Sequence, residues 1–116
     1  MLTLPRSVRI YLCVEPVDLR KSIDGLSALV AARKRDPYSG HLYMFVGRRR
    51  EKVKILTFER GGFVLYYKRL ERGRFRLPTV DEDDEEVEID AAQLAMILDG
   101  IDVARVRRRE AWAPRP

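Results

Sequence analysis

Apolar and polar positions alternate from Val8: Val8, Ile10 and Leu12 share one side of an extended chain, Arg9 and Tyr11 the other, and Pro16 stops the ladder. A first strand is predicted there. The period then lengthens, with Leu19, Ile23, Leu26 and Val30 recurring at steps of four, three and four, which lines one face of a helix. Asp18 is the expected N-cap and Asp36-Pro37 the stop signal. Arg33, Lys34 and Arg35 suit the negative end of that helix dipole. Arg20 and Lys21, by contrast, fall near its positive end, where cations are unfavourable.

From His41 the period shortens again. "HLYMFV", "KVKILTF" and "FVLYYKRL" are rich in β-branched and aromatic residues and are separated by "GRRRE" and "ERGG", so they read as a meander of antiparallel strands. A short further strand, "RFRL", is expected after "ERG". Both faces of these strands carry apolar residues, so helices or a second subunit should cover the sheet. "EVEI" has the pattern of a strand pairing at a sheet edge. In "DAAQLAMILDGID", Asp90 and Gln93 have capping-box spacing, Leu94, Ile97, Leu98 and Ile101 form one stripe, and Gly100 marks the end. The predicted fold is α+β: an antiparallel meander of about four to six strands, with a helix in the N-terminal half and a short C-terminal helix packed on it.

A length of 116 residues suits one domain, and a hydrophobic content of 46% supplies a core for it despite 35% charged residues. The expected organisation is a single domain over 1–104 with an acidic linker at 79–88, followed by a basic, disordered tail at 105–116. The single cysteine, Cys13, lies in an apolar run and reads as a buried thiol in the cytoplasm. No apolar stretch is long enough for a membrane span, so no membrane partner is expected. Charge is strongly segregated. Residues 1–80 hold 18 basic and 7 acidic side chains, residues 81–102 hold ten acidic and none basic, and the last fourteen hold five arginines against Glu110.

The motifs "PVDLRKSIDGLSALV", "DPYSGHLYMFVGRRREKVKIL", "YYKRLERGRF" and "AAQLAMILDGID", in that order, resemble one family: the accessory proteins encoded by the second open reading frame of IS66-type bacterial insertion sequences, usually called TnpB. The resemblance spans roughly residues 7–103. It implies a protein that acts in DNA transposition with a separate transposase, which supplies the catalytic carboxylates, and with a second small accessory protein of the same element. It does not imply a known chemistry; no cofactor is expected, and an oligomer is compatible with it.

The residues themselves point the same way. His41 is the only histidine and precedes a strand with no placed partner, and no Cys/His spacing suits zinc. The carboxylates from Asp81 to Asp90 are contiguous, unlike the scaffolded set a two-metal nuclease needs. They read as a solvated block, or as a DNA mimic folding over the basic surface. Basic residues carry the stronger signal. Arg48, Arg49, Arg50 and Lys52 surround one turn, and Lys68, Arg69, Arg72 and Arg74 another. Alternate turns of a meander project from opposite ends of the sheet, so these two should meet at one end. Arginine forks match phosphate oxygens, and Arg20 and Lys21 at a helix start would add free N–H groups. The expected function is therefore a non-catalytic accessory factor that contacts DNA, or the transposase–DNA complex, through these residues. The alternative is an adaptor docking on the transposase without touching DNA.

Overall fold

The computed structural model describes residues 7–101. β1 (Ile10–Cys13) leads through α1 (Ile23–Ala32) to β2 (Leu42–Val46), and β3 (Lys52–Glu59) and β4 (Gly62–Arg69) follow as successive hairpins. An irregular segment then carries the chain to β5 (Glu86–Ile89) and α2 (Ala91–Leu98). The strand order is β4-β3-β2-β1-β5. The meander β2-β3-β4 is antiparallel, as is the β1-β5 contact, but β1 and β2 run parallel because a helical crossover joins them. The sheet is therefore mixed.

The alternation in β1 and β2 explains why both strands are buried throughout. Ile10, Leu12, Leu42, Met44 and Val46 face one side with Val53 and Ile55, where α2 and the segment after β4 cover them with Ile97, Leu98 and Phe75. Tyr11, Cys13, Tyr43, Phe45 and Leu56 face the other, under Leu26 and Val30 of α1. Each helix closes one face of a two-sided core. Burying the β1–β2 pair between them places apolar residues at nearly every position, which is why the strands lack a polar face.

Several expectations about element ends need correction. α1 starts at Ile23 with Ser22 in the N-cap position, and Asp18 instead caps the turn before it, accepting from Arg20 N at 3.0 Å. Leu19, Arg20 and Lys21 thus lie in a loop rather than in the first turn of the helix. "RFRL", residues 74–77, is not a strand. Gly73, with φ +76°, turns the chain away from β4, and the segment crosses the α2 face, burying Phe75 to 1% exposure. Its apolar residues are spent on that face, and Pro78 offers no N–H for a ladder.

The two acidic-region readings fare better. "EVEI" pairs antiparallel with β1 at the sheet edge, with Glu88 bonded to Arg9 at 3.0 Å and Glu86 to Arg35 at 2.9 Å. α2 opens with the full capping box: Asp90 Oδ1 accepts from Gln93 N at 2.7 Å, and Gln93 Oε1 accepts from Asp90 N at 2.9 Å. It closes on Gly100 at φ +77°, with Gly100 N donating to Ile97 O and Ile101 N to Met96 O, the paired bonds of a Schellman motif. Leu94, Ile97 and Leu98 are buried, but Ile101 lies beyond that turn and is half exposed. The expected tail at 105–116 lies outside the described residues.

Candidate nucleic-acid interface

The β2–β3 hairpin closes through Arg50 N donating to Gly47 O at 2.9 Å and Gly47 N donating to Lys52 O at 3.1 Å. Arg50 takes a left-handed conformation, φ 57°, to complete the turn. Its carbonyl and the next one do not face solvent alone. Arg50 O accepts from Phe75 N, and Glu51 O accepts from Leu70 N at 2.9 Å. These two bonds staple the hairpin tip to the chain leaving β4, so the two basic turns are adjacent, as the meander geometry requires. Together they line a shallow depression of about 650 Å³ in which Arg48, Arg49, Arg50, Arg74 and Arg76 supply all the charge. Arg72 is exposed on the same turn but lines neither depression described here.

Arg48 and Arg49 also border a larger groove, of about 920 Å³, on the α1 face. Its floor is the exposed half of β3 and β4, where Lys52, Lys54 and Tyr67 share one face, Lys54 lying opposite Tyr67 in register. Its far wall is the loop before α1. That loop is docked by Val17 N donating to Val46 O at 3.0 Å and by Leu19 packed close over Gly47. Lys54 Nζ donates to Lys21 O at 2.8 Å and stands 5.4 Å from the Tyr67 ring centre, tying floor to wall.

Arg20 projects from the wall with its side chain 92% exposed. Asp18 accepts from its Nε and Nη2, the latter at 2.7 Å, and these bonds hold the Asp18 carboxyl well below the usual carboxylate range. The pair is bidentate and largely solvated, so it fixes the direction of the guanidinium more than it stabilises the fold. Lys21 contributes its backbone rather than its ammonium to the groove, through the bond to Lys54.

One residue expected with the second turn separates from it. Lys68 points to the opposite face, where its Nζ donates to Leu98 O at 2.7 Å and caps the C-terminal carbonyls of α2. Arg69 is exposed on the groove's face, opposite Lys52 in register. The sequence missed the groove as such, because the helical spacing of Leu19 with Ile23 placed Arg20 on a helix. The signal was available in "PVDLR": Asp18 two residues before Arg20 is the spacing of an Asx turn.

The other chemically interesting groups are engaged in structure. Burial pushes the Cys13 thiol up, despite the nearby Arg33 guanidinium. His41 Nδ1 accepts from Arg9 N at 3.0 Å, and its ring meets Tyr11 edge-on. Glu86 and Glu88 are held by separate arginines on the β5 edge, and no group of three or more His, Cys, Asp or Glu side chains converges among the described residues. No helix among those residues is long and apolar enough to cross a membrane.

No solved structure matches the chain. Two proteins of Sinorhizobium fredii (strain NBRC 101917 / NGR234) are similar to it: the uncharacterized protein y4jC, 32% identical over 94% of this chain and 92% of its own length, and the uncharacterized protein y4hO, 32% identical over 98% and 96%. The family model described as IS66 Orf2 like protein matches residues 8–108, which includes every strand, both helices and both basic turns. The chain belongs to the IS66 Orf2-like family.

Proposed function

We propose that this protein is a non-catalytic accessory factor of transposition that grips the phosphate backbone of DNA, alone or in the transposase–DNA complex, through its stapled basic turns and the groove beside them. Family membership implies an accessory role in transposition. The contact with DNA rests on one observation above all: the backbone bonds from Phe75 and Leu70 to the β2–β3 tip hold Arg48, Arg49, Arg50 and Arg74 as one rim. A rim whose backbone is already fixed has only side-chain freedom left to lose when an anion arrives, and planar guanidinium forks match phosphate oxygens two at a time. Lys52, Lys54 and Arg20 continue the positive surface into the groove. Such contacts position a protein on a duplex without reading sequence, so site choice belongs to the transposase. A cytoplasmic location follows from that partnership.

The test is duplex-DNA affinity measured against salt. Replacing Arg48, Arg49 and Arg74 together by alanine is expected to reduce the slope of log affinity against log salt by roughly two to three. An unchanged slope would mean that the rim is not the contact, and the adaptor reading would then stand. That reading is weakened for α2, whose apolar stripe is already buried against the sheet.

A further inference from the structure

Among the described residues β4 (Gly62–Arg69) is the outermost strand on its side of the sheet, and it pairs with β3 over eight consecutive residues without a bulge or a proline. Register decides which of its backbone groups are left over. In a two-residue hairpin the flanking pair, here Glu59 and Gly62, exchanges both hydrogen bonds, and the exchange recurs at every second pair. Val64, Tyr66 and Lys68 therefore turn their N–H and C=O toward β3. Leu70 N donating to Glu51 O keeps the same parity past the strand end. Phe63, Leu65, Tyr67 and Arg69 direct theirs outward.

A long, straight edge is normally blunted by inward charges, proline or a bulge. β4 carries charge only at its last two positions. Of the five large hydrophobic side chains exposed among the described residues, three lie on it: Val64 at 41%, Tyr66 at 42% and Tyr67 at 50%. Outward-facing hydrogen-bonding groups and exposed apolar side chains thus coincide on one strand.

We propose that β4 is the two-fold interface of a homodimer, in which a second copy of this chain lays its own β4 antiparallel along the free edge and two five-stranded sheets become one of ten. Outward-facing residues must meet outward-facing residues, so the two-fold axis has to pass through a residue rather than between two. With the axis at Tyr66, Leu65 meets Tyr67, Val64 meets Lys68 and Phe63 meets Arg69 of the other copy. Each cation then lies against an apolar or aromatic partner, with the guanidinium beside the Phe63 ring, and no like charges are opposed. An axis at Leu65 would set Lys68 and Arg69 against Gly62 and Gly61, which have no side chain to offer them. This self-complementarity selects a second copy over an unrelated strand. The proposal does not depend on nucleic-acid binding.

The experiment uses the full chain. Tyr66 faces its mate across a pair without hydrogen bonds, where Cβ atoms stand about 4.5–5.5 Å apart, close to disulfide reach. Tyr66→Cys is expected to form a reducible intermolecular disulfide in high yield, whereas Val64→Cys, facing Lys68 of the other copy, is not. Light scattering of the unmodified protein is expected to give twice 13.5 kDa, and Tyr66→Lys, which opposes two ammonium groups, to weaken the dimer by about tenfold or more while the circular dichroism spectrum stays unchanged. A monomer mass across about 1–100 μM, or equal cross-linking at positions 64 and 66, would overturn the proposal.

Discussion

Arg50 holds a left-handed backbone at the point where the hairpin turns, a conformation that costs a residue with a Cβ roughly 1–2 kcal/mol, part of which glycine gives back in the backbone entropy it loses on folding. Glycine is the ordinary solution there, so the guanidinium is kept against a local penalty. Arg50→Gly is therefore expected to raise stability by roughly 0.5–1 kcal/mol in a denaturant titration and, in the same protein, to lower the salt slope of DNA binding by about one. Gain in the first measurement without loss in the second would assign Arg50 to the turn alone. Lys68 illustrates the opposite case. Its ammonium is committed to the Leu98 carbonyl, so it belongs to the fold rather than to the proposed phosphate contact.

The elements differ in how openly the sequence announces them. α2 is legible at both ends because its signals are local: Asp90 and Gln93 satisfy each other's orphan N–H groups, and Gly100 supplies the left-handed exit. Asp90→Ala is expected to cost about 1 kcal/mol in a thermal or denaturant melt, since it removes one half of the box and leaves Gln93 N without its acceptor. The β2-β3-β4 meander is equally legible, from alternation and short turns. What the sequence conceals depends on distant partners. The start of α1 is obscured because Leu19 has helical spacing with Ile23 yet packs over Gly47, and residues 74–77 alternate like a strand yet Phe75 is drawn into the core beneath α2. The groove was hidden for the same reason, since its wall and floor are far apart in sequence and are brought together by tertiary contacts such as the bond between Lys54 and Lys21, thirty-three residues apart.

Across the whole molecule the charge is arranged as two territories. Basic side chains gather at the β2-β3-β4 side, whereas the acidic stretch enters β5 on the opposite edge, where Arg9 and Arg35 anchor Glu88 and Glu86 and the Arg33 guanidinium reaches Glu85 O. Glu88 and Glu86 are thus held away from the groove by their own ion pairs. Glu82 and Asp83, exposed in the turn before β5, still repel a duplex that approaches the same end of the sheet. Glu82→Gln with Asp83→Asn is expected to tighten duplex binding several-fold at about 10 mM salt, where charges interact over roughly 30 Å, and to change little at about 0.15 M, where screening cuts that to about 8 Å. Identical low-salt affinities would show that the acidic stretch does not act on DNA.

The pairing of β1 with β5 also imposes an order in time. Residues 10–13 are made early, yet one of their two flanks is filled only by residues 86–89. Until β5 docks, β1 leaves a bare apolar edge beside β2, and the last of the described strands in the chain is the one that seals it. The acidic sequence around β5 is well suited to that late role, since a segment with so many like charges stays soluble and unpaired until Arg9 and Arg35 are in place to receive it.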